Sequence, residues 1–179
     1  MAGGVTPRAP LQELGPATVF RRLAALVYDG LLLLAVLFLG TLVLLPLTGG
    51  ESITPQDAGP WEHAYRAWIA LLVLVFFGLS WTRRGQTLGM MSWKIRLQRE
   101  DGGLLRWRDT AARLGLGAAV AMTALVGLVS VGRGSPPPLG PWATALLLPA
   151  VANYLWMGFD PEARSLLDRV TRSRVVRVG

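Results

Sequence analysis

The chain has 179 residues, 52% of them hydrophobic and 16% charged, with a net charge of +7. A soluble domain of this size carries about a quarter charged residues, and here long stretches hold almost no charge, so a soluble globule is excluded in favour of a membrane protein. The absence of Cys and the single His, His63, exclude disulfides, zinc ribbons, iron–sulfur clusters, cysteine nucleophiles and a multi-histidine metal site within one chain, so no metal and no cofactor is expected.

Residues 1–21 read as a cytoplasmic N-terminal tail and residues 22–179 as one membrane domain. A span needs roughly 20 apolar residues to cross a hydrocarbon core of ~30 Å. The first such stretch covers about 22–47 and is interrupted by one acid, Asp29. It is longer than the 7–15 residues of a signal h-region, and no small-x-small site follows at Leu45-Pro46-Leu47-Thr48, so it is expected to remain as an anchor. Residues 48–62 carry Glu51, Asp57 and Glu62 without a basic residue and read as an outer loop. The second span is placed at about 63–81, with Arg66 reaching the headgroups and His63 an interfacial residue rather than a ligand.

The central loop contains Gly85-x-x-x-Gly89, which lacks the lysine and third glycine of a phosphate-binding loop. Ser92 to Arg99 alternates with period two: Trp93, Ile95 and Leu97 on one face, Lys94, Arg96 and Gln98 on the other, the pattern of a half-buried strand. Glu100-Asp101-Gly102-Gly103 follows as a turn. The third span is placed at about 113–131, with Ala119, Thr123 and Gly127 as a small-xxx-small packing face. Residues 132–138 form a short Gly/Pro turn, and the fourth span falls at about 139–159. The β-branched Arg174-Val175-Val176-Arg177-Val178 is expected to pair with the central strand. The fold class is therefore an all-α membrane protein, a four-transmembrane-helix bundle with a small cytoplasmic β-ribbon.

Of the eighteen basic residues, three precede the first span, eight lie between the second and third, and five follow the fourth. The positive-inside rule then puts both termini and the central loop in the cytoplasm of an inner or plasma membrane. Charge beside membrane ends also argues against a nucleic-acid partner and for anionic lipid headgroups, at ~1 kcal/mol per well-placed basic residue.

Asp29 follows Arg22 by seven residues, so the two share a helix face about 10.5 Å apart along the axis. A carboxylate at that depth costs ~2.5–3.5 kcal/mol on insertion scales and must be protonated, paired or bound to a cation. Depth along the spans nominates Asn153, Tyr154, Ser80 and Arg113 as polar partners, and a plain interhelical hydrogen bond from Asn153 is the structural alternative. Asp168, flanked by Arg164, Arg169 and Arg172, reads by default as a solvated salt bridge worth ~0–1 kcal/mol, with Arg22 or Arg84 as a sharper choice of partner.

These segments carry a resemblance. Arg22-Leu23-Ala24-Ala25-Leu26-Val27-Tyr28-Asp29 resembles the opening signature of the RDD family of small polytopic membrane proteins, named for one Arg and two Asp. Gly85 to Leu97, with Asp101-Gly102-Gly103, resembles its second block, and Ser165 to Val176 its closing block. Carried over, the Arg is Arg22 and the acids are Asp29 and Asp168; Leu167 stands where members often have His. The resemblance implies a multi-pass membrane protein of a family in which transport is suspected.

Two functions follow as expectations. One is cation- or proton-coupled transport with Asp29 as the intramembrane site; the small bundle then implies a homo-oligomer. The alternative is a non-catalytic membrane scaffold or assembly factor that binds a partner through its basic cytoplasmic face. No Ser/His/Asp set converges in the sequence, so an enzyme is not expected.

Overall fold

The computed structural model describes residues 12–48, 60–132, 142 and 144–179. The two outer loops, 48–62 and 132–138, and the start of the fourth stretch fall almost wholly outside these residues.

Three helices are long and apolar enough to cross a membrane: α1 (Val19–Leu44), α2 (Pro60–Arg83) and α4 (Trp107–Gly132). Each starts or stops where local chemistry dictates. Helix α1 leaves its extended cap Thr18 and runs without proline until Pro46, where the chain tightens into a short 3-10 turn, Leu45–Thr48. Helix α2 opens on Pro60, whose missing N–H costs nothing in a first turn. At ~1.5 Å per residue, α1 and α4, each of 26 residues, reach ~39 Å, longer than the hydrocarbon core. Only 6–11% of each span's apolar window is buried inside the protein. Leu31, Leu34, Phe38 and Val43 stand exposed along α1. A patch of that extent marks a surface made to be covered by lipid or by protein.

The fourth apolar helix is shorter, Ala145–Gly158, with α5 (Leu148–Leu155) at its centre between two 3-10 turns. It packs on α4; on α4 itself, Gly127 of the small-residue face is buried. Helices α1 and α2 approach closely at Gly40, whose carbonyl accepts from Trp68 Nε1 at 3.2 Å. A Cβ there would run into Leu72.

At the end of the bundle where α1 and α4 begin and α2 ends lies a three-stranded antiparallel sheet. Its strands are β1 (Glu13–Pro16), β2 (Ile95–Arg99) and β3 (Ser173–Val178), in the order β1-β3-β2. The expected pairing of the central and C-terminal strands is present, with Leu97 opposite Val175 and Arg99 opposite Ser173. Two features differ from expectation. The stretch read as N-terminal tail supplies a third strand, because β3 has a free edge that Glu13–Pro16 covers. The central strand also begins at Ile95, not Ser92: Leu88–Ser92 is a short helix, α3, and Lys94 turns the chain at φ +53 before β2 starts. Ile95 and Leu97 bury as the alternation requires, but Gln98 on the opposite face is buried as well, donating to Glu13 Oε1 at 2.6 Å. Ile95, Leu97 and Val175 join Ala17, Ala25, Trp81, Met90 and Leu105 in one core that welds the sheet to the helix ends.

Candidate functional site

Two carboxylates organise the sheet-bearing end. Asp168 lies in α6 (Leu166–Val170), a single helical turn before β3. Ser165 caps that turn: its hydroxyl accepts from Asp168 N at 3.1 Å while Asp168 Oδ2 accepts from Ser165 N at 3.1 Å. This reciprocal arrangement is a capping box with Asp in the third position. It fixes the Asp168 side chain so that its other lone pairs point to two guanidiniums. Arg22 Nη1 of α1 pairs with Oδ2, and Arg113 Nη2 of α4 with Oδ1 at 2.6 Å.

None of the three is solvated: the side chains of Arg22, Arg113 and Asp168 are 9%, 10% and 0% exposed. Their remaining donors are placed too. Arg22 Nη2 donates to the Ala163 carbonyl at 3.0 Å, and Arg113 Nη1 donates to Ser173 Oγ at 2.6 Å and Thr171 Oγ1 at 3.1 Å. The Arg113 guanidinium also lies 5.9 Å from the Trp81 ring centroid. Burial works to raise the Asp168 pKa, but the charges of Arg113 and Arg22 outweigh it and hold the group below the ordinary carboxylate value. Asp168 is thus a knot, ionised at neutral pH, that joins α1, α4 and the C-terminal strand.

Asp29 sits one level deeper, on α1, and is also buried. Its Oδ2 accepts from the Thr87 hydroxyl and its Oδ1 from Gly89 N at 2.9 Å. Both donors belong to the start of α3, and Thr87 at the same time caps that helix by accepting from Met90 N at 3.1 Å. Glycine at 89 is required for this contact: a Cβ would lie 2.5 Å from the Ala25 carbonyl oxygen and 2.8 Å from Asp29 Oδ1. At Gly85, φ is +70 and the carbonyl accepts from Leu97 N at 2.7 Å, which ties the loop to β2. The Gly85-x-x-x-Gly89 spacing therefore serves close packing on α1 and β2.

The partners expected for Asp29 are elsewhere. Asn153 Oδ1 accepts from Leu167 N at 2.9 Å and so supports α6. Arg113 is committed to Asp168, Tyr154 lies within the electrostatic reach of Arg22, Asp168 and Arg113, and Ser80 donates within its own helix to Phe76 O at 2.7 Å. Arg22 and Asp29 share a helix but have separate partners. For Asp168, the solvated pair is replaced by a buried one, with Arg22 and Arg113 as partners and without Arg84. Arg164 turns instead to Asp160 and Glu100, and Arg169 stacks 5.4 Å from the Trp156 ring centroid.

Thr87, Gly89, Ser165 and Ser173 escaped the sequence reading. Ser165-Leu166-Leu167-Asp168 carried a legible signal as a capping-box spacing, whereas Thr87 and Gly89 required the packing of α3 on α1 to be known. Among the described residues no cluster of three or more His, Asp or Glu side chains could hold a metal ion.

The family model of the RDD family matches residues 16–172, which include Arg22, Asp29 and Asp168. No curated protein and no solved structure matches the chain.

Proposed function

The chain belongs to the RDD family, and on that premise we propose that it is a non-catalytic membrane scaffold, a multi-pass anchor that holds a small sheet and a basic surface against the bilayer for a partner. The observation that carries this reading is that both oxygens of each motif acid accept from the protein's own donors. Asp29 takes Thr87 and Gly89, and Asp168 takes Arg22, Arg113 and Ser165. Groups so occupied are fasteners of loops to helices. In this reading Ala145–Gly158 with the residues before it makes the fourth crossing, and the sixteen basic residues that precede the first span, join the second to the third or follow the fourth face the cytoplasm. Exposed Arg106, Arg108, Arg172 and Arg177 supply the basic face.

One observation favours the second reading, proton- or cation-coupled transport. Asp29 lies in a span and has no cationic partner among the described residues, so charge neutralisation at that depth would fall to a proton or a bound cation. Proteoliposomes with an internal pH dye and an imposed sodium or potassium gradient separate the two. The scaffold reading expects the same flux from wild type, Asp29→Asn and empty vesicles. Flux carried by wild type and lost in a folded Asp29→Asn variant would overturn it and establish coupling.

A further inference from the structure

Beside the α3 loop lies a cavity of about 250 Å³, lined by Leu79, Ser80, Arg83, Arg84, Gln86, Leu88 and Met91. Its lining is divided by chemistry. Arg83 ends α2 and Arg84 follows it in the turn, both exposed, with no ion-pair or hydrogen-bond partner for either side chain among the described residues. No acidic residue lines the cavity. The rest of the lining holds apolar groups: Leu88 and Met91 of α3, and Leu79 of α2 one turn before Arg83, stand 58%, 44% and 37% exposed.

The polar groups between are partly committed. The Ser80 hydroxyl donates to Phe76 O, and Gln86 Nε2 donates to Ile95 O at 2.8 Å. The two guanidiniums are therefore the free donors, and a guanidinium matches a phosphate bidentately. Position completes the argument. The cavity sits at the end of a membrane-length helix, where headgroup phosphates lie and acyl chains begin.

We infer that this cavity is a binding site for the phosphate of an anionic phospholipid, held by Arg83 and Arg84, with the acyl chain lying along Leu79, Leu88 and Met91. A free phosphate would use the arginines alone and would leave the exposed apolar wall uncovered, so the lipid is the occupant the site fits. The inference rests on the membrane-spanning reading but not on the scaffold role. Leu88 and Met91 stand on α3, which the bond from Gly89 N to Asp29 Oδ1 fastens to α1.

The test is native mass spectrometry of the full chain released from nanodiscs of phosphatidylcholine mixed with phosphatidylglycerol, counting the lipids retained. Wild type is expected to enrich phosphatidylglycerol. Arg83→Gln with Arg84→Gln is expected to lose that enrichment by roughly fivefold for each arginine, the factor that corresponds to ~1 kcal/mol per basic residue at a membrane surface. Arg83→Lys with Arg84→Lys keeps the charge and is expected to retain most of it. The control is Arg99→Gln with Arg174→Gln, which removes two charges that lie outside the cavity and are paired with Asp101 and Glu13; it is expected to leave the enrichment intact. Equal enrichment in Arg83→Gln/Arg84→Gln and wild type overturns the site, and equal loss in both Gln pairs reduces it to general surface charge. Displacement of the lipid by inorganic phosphate alone would make it a soluble-phosphate site. Failure of either Gln pair to stay in the bilayer, read by carbonate extraction, would instead count against the membrane-spanning reading.

Discussion

Replacing Asp168 by Ala removes the centre of the buried knot, and its cost can be worked from the contacts. Breaking a buried ion pair by deleting one partner leaves uncompensated charge and costs ~3–5 kcal/mol. Here two guanidiniums lose their counter-ion at once, but each keeps other acceptors: Arg22 keeps the Ala163 carbonyl, and Arg113 keeps Ser173 and Thr171. That places the loss near the lower bound, about 3 kcal/mol, or roughly a hundredfold in the equilibrium for detaching the tail. The elements released are α6 and β3, because the Arg22 and Arg113 bonds to Asp168 tie that segment to α1 and α4. Backbone amide exchange of residues 173–178 in nanodiscs reads the event directly, since these amides are held by pairing with β1 and β2. Asp168→Ala is expected to exchange roughly a hundredfold faster there, with the middle of α1 and α4 unchanged. Wild-type protection of those amides in Asp168→Ala would refute the knot.

The pH dependence has a defined sign. The folded Asp168 pKa lies below the ordinary carboxylate value, so its contribution is fully present above the unfolded value of about 3.9 and is lost only as pH falls through the folded one. Tail protection, corrected for intrinsic exchange, should be flat from neutral pH to about 5 and fall only in stronger acid; a drop near pH 6 would contradict the assignment. Arg22→Lys keeps the charge but cannot reach Asp168 and the Ala163 carbonyl together, so thermal unfolding should show a loss of about 1–2 kcal/mol despite the conservative change. Asp29→Ala strands the Thr87 hydroxyl and Gly89 N–H and should cost about 1–3 kcal/mol, while Asp29→Asn, able to accept from Gly89 and donate to Thr87, should cost less than half as much in the same assay. Gly89→Ala should displace α3 and lower stability by about 1–3 kcal/mol through overpacking against the Ala25 carbonyl, with faster tryptic cleavage at Arg83 and Arg84 as the local readout.

The sequence alone determined what hydropathy and local pattern can encode. Long uncharged runs require helices in lipid, because a backbone without water must satisfy itself, and α1, α2 and α4 lie where those runs lie. The β-branched tail and the alternation at Ile95–Leu97 required a strand pair, and Leu97 meets Val175. The same local reasoning overran at Ser92-Trp93-Lys94. These three residues belong to a helix end and its left-handed exit, and an eight-residue window cannot separate them from the strand. Which groups bond to which was decided only by tertiary structure. Arg22 and Asp168 stand 146 residues apart, and Asp29 and Gly89 stand 60 apart. Depth along a helix narrows the candidates for such a bond to a layer, whereas the bond itself needs the rotation of each helix and the docking of α3 and α6. Those follow from how Gly89, Ala25 and the capping box pack, and no window of sequence contains both sides of that contact.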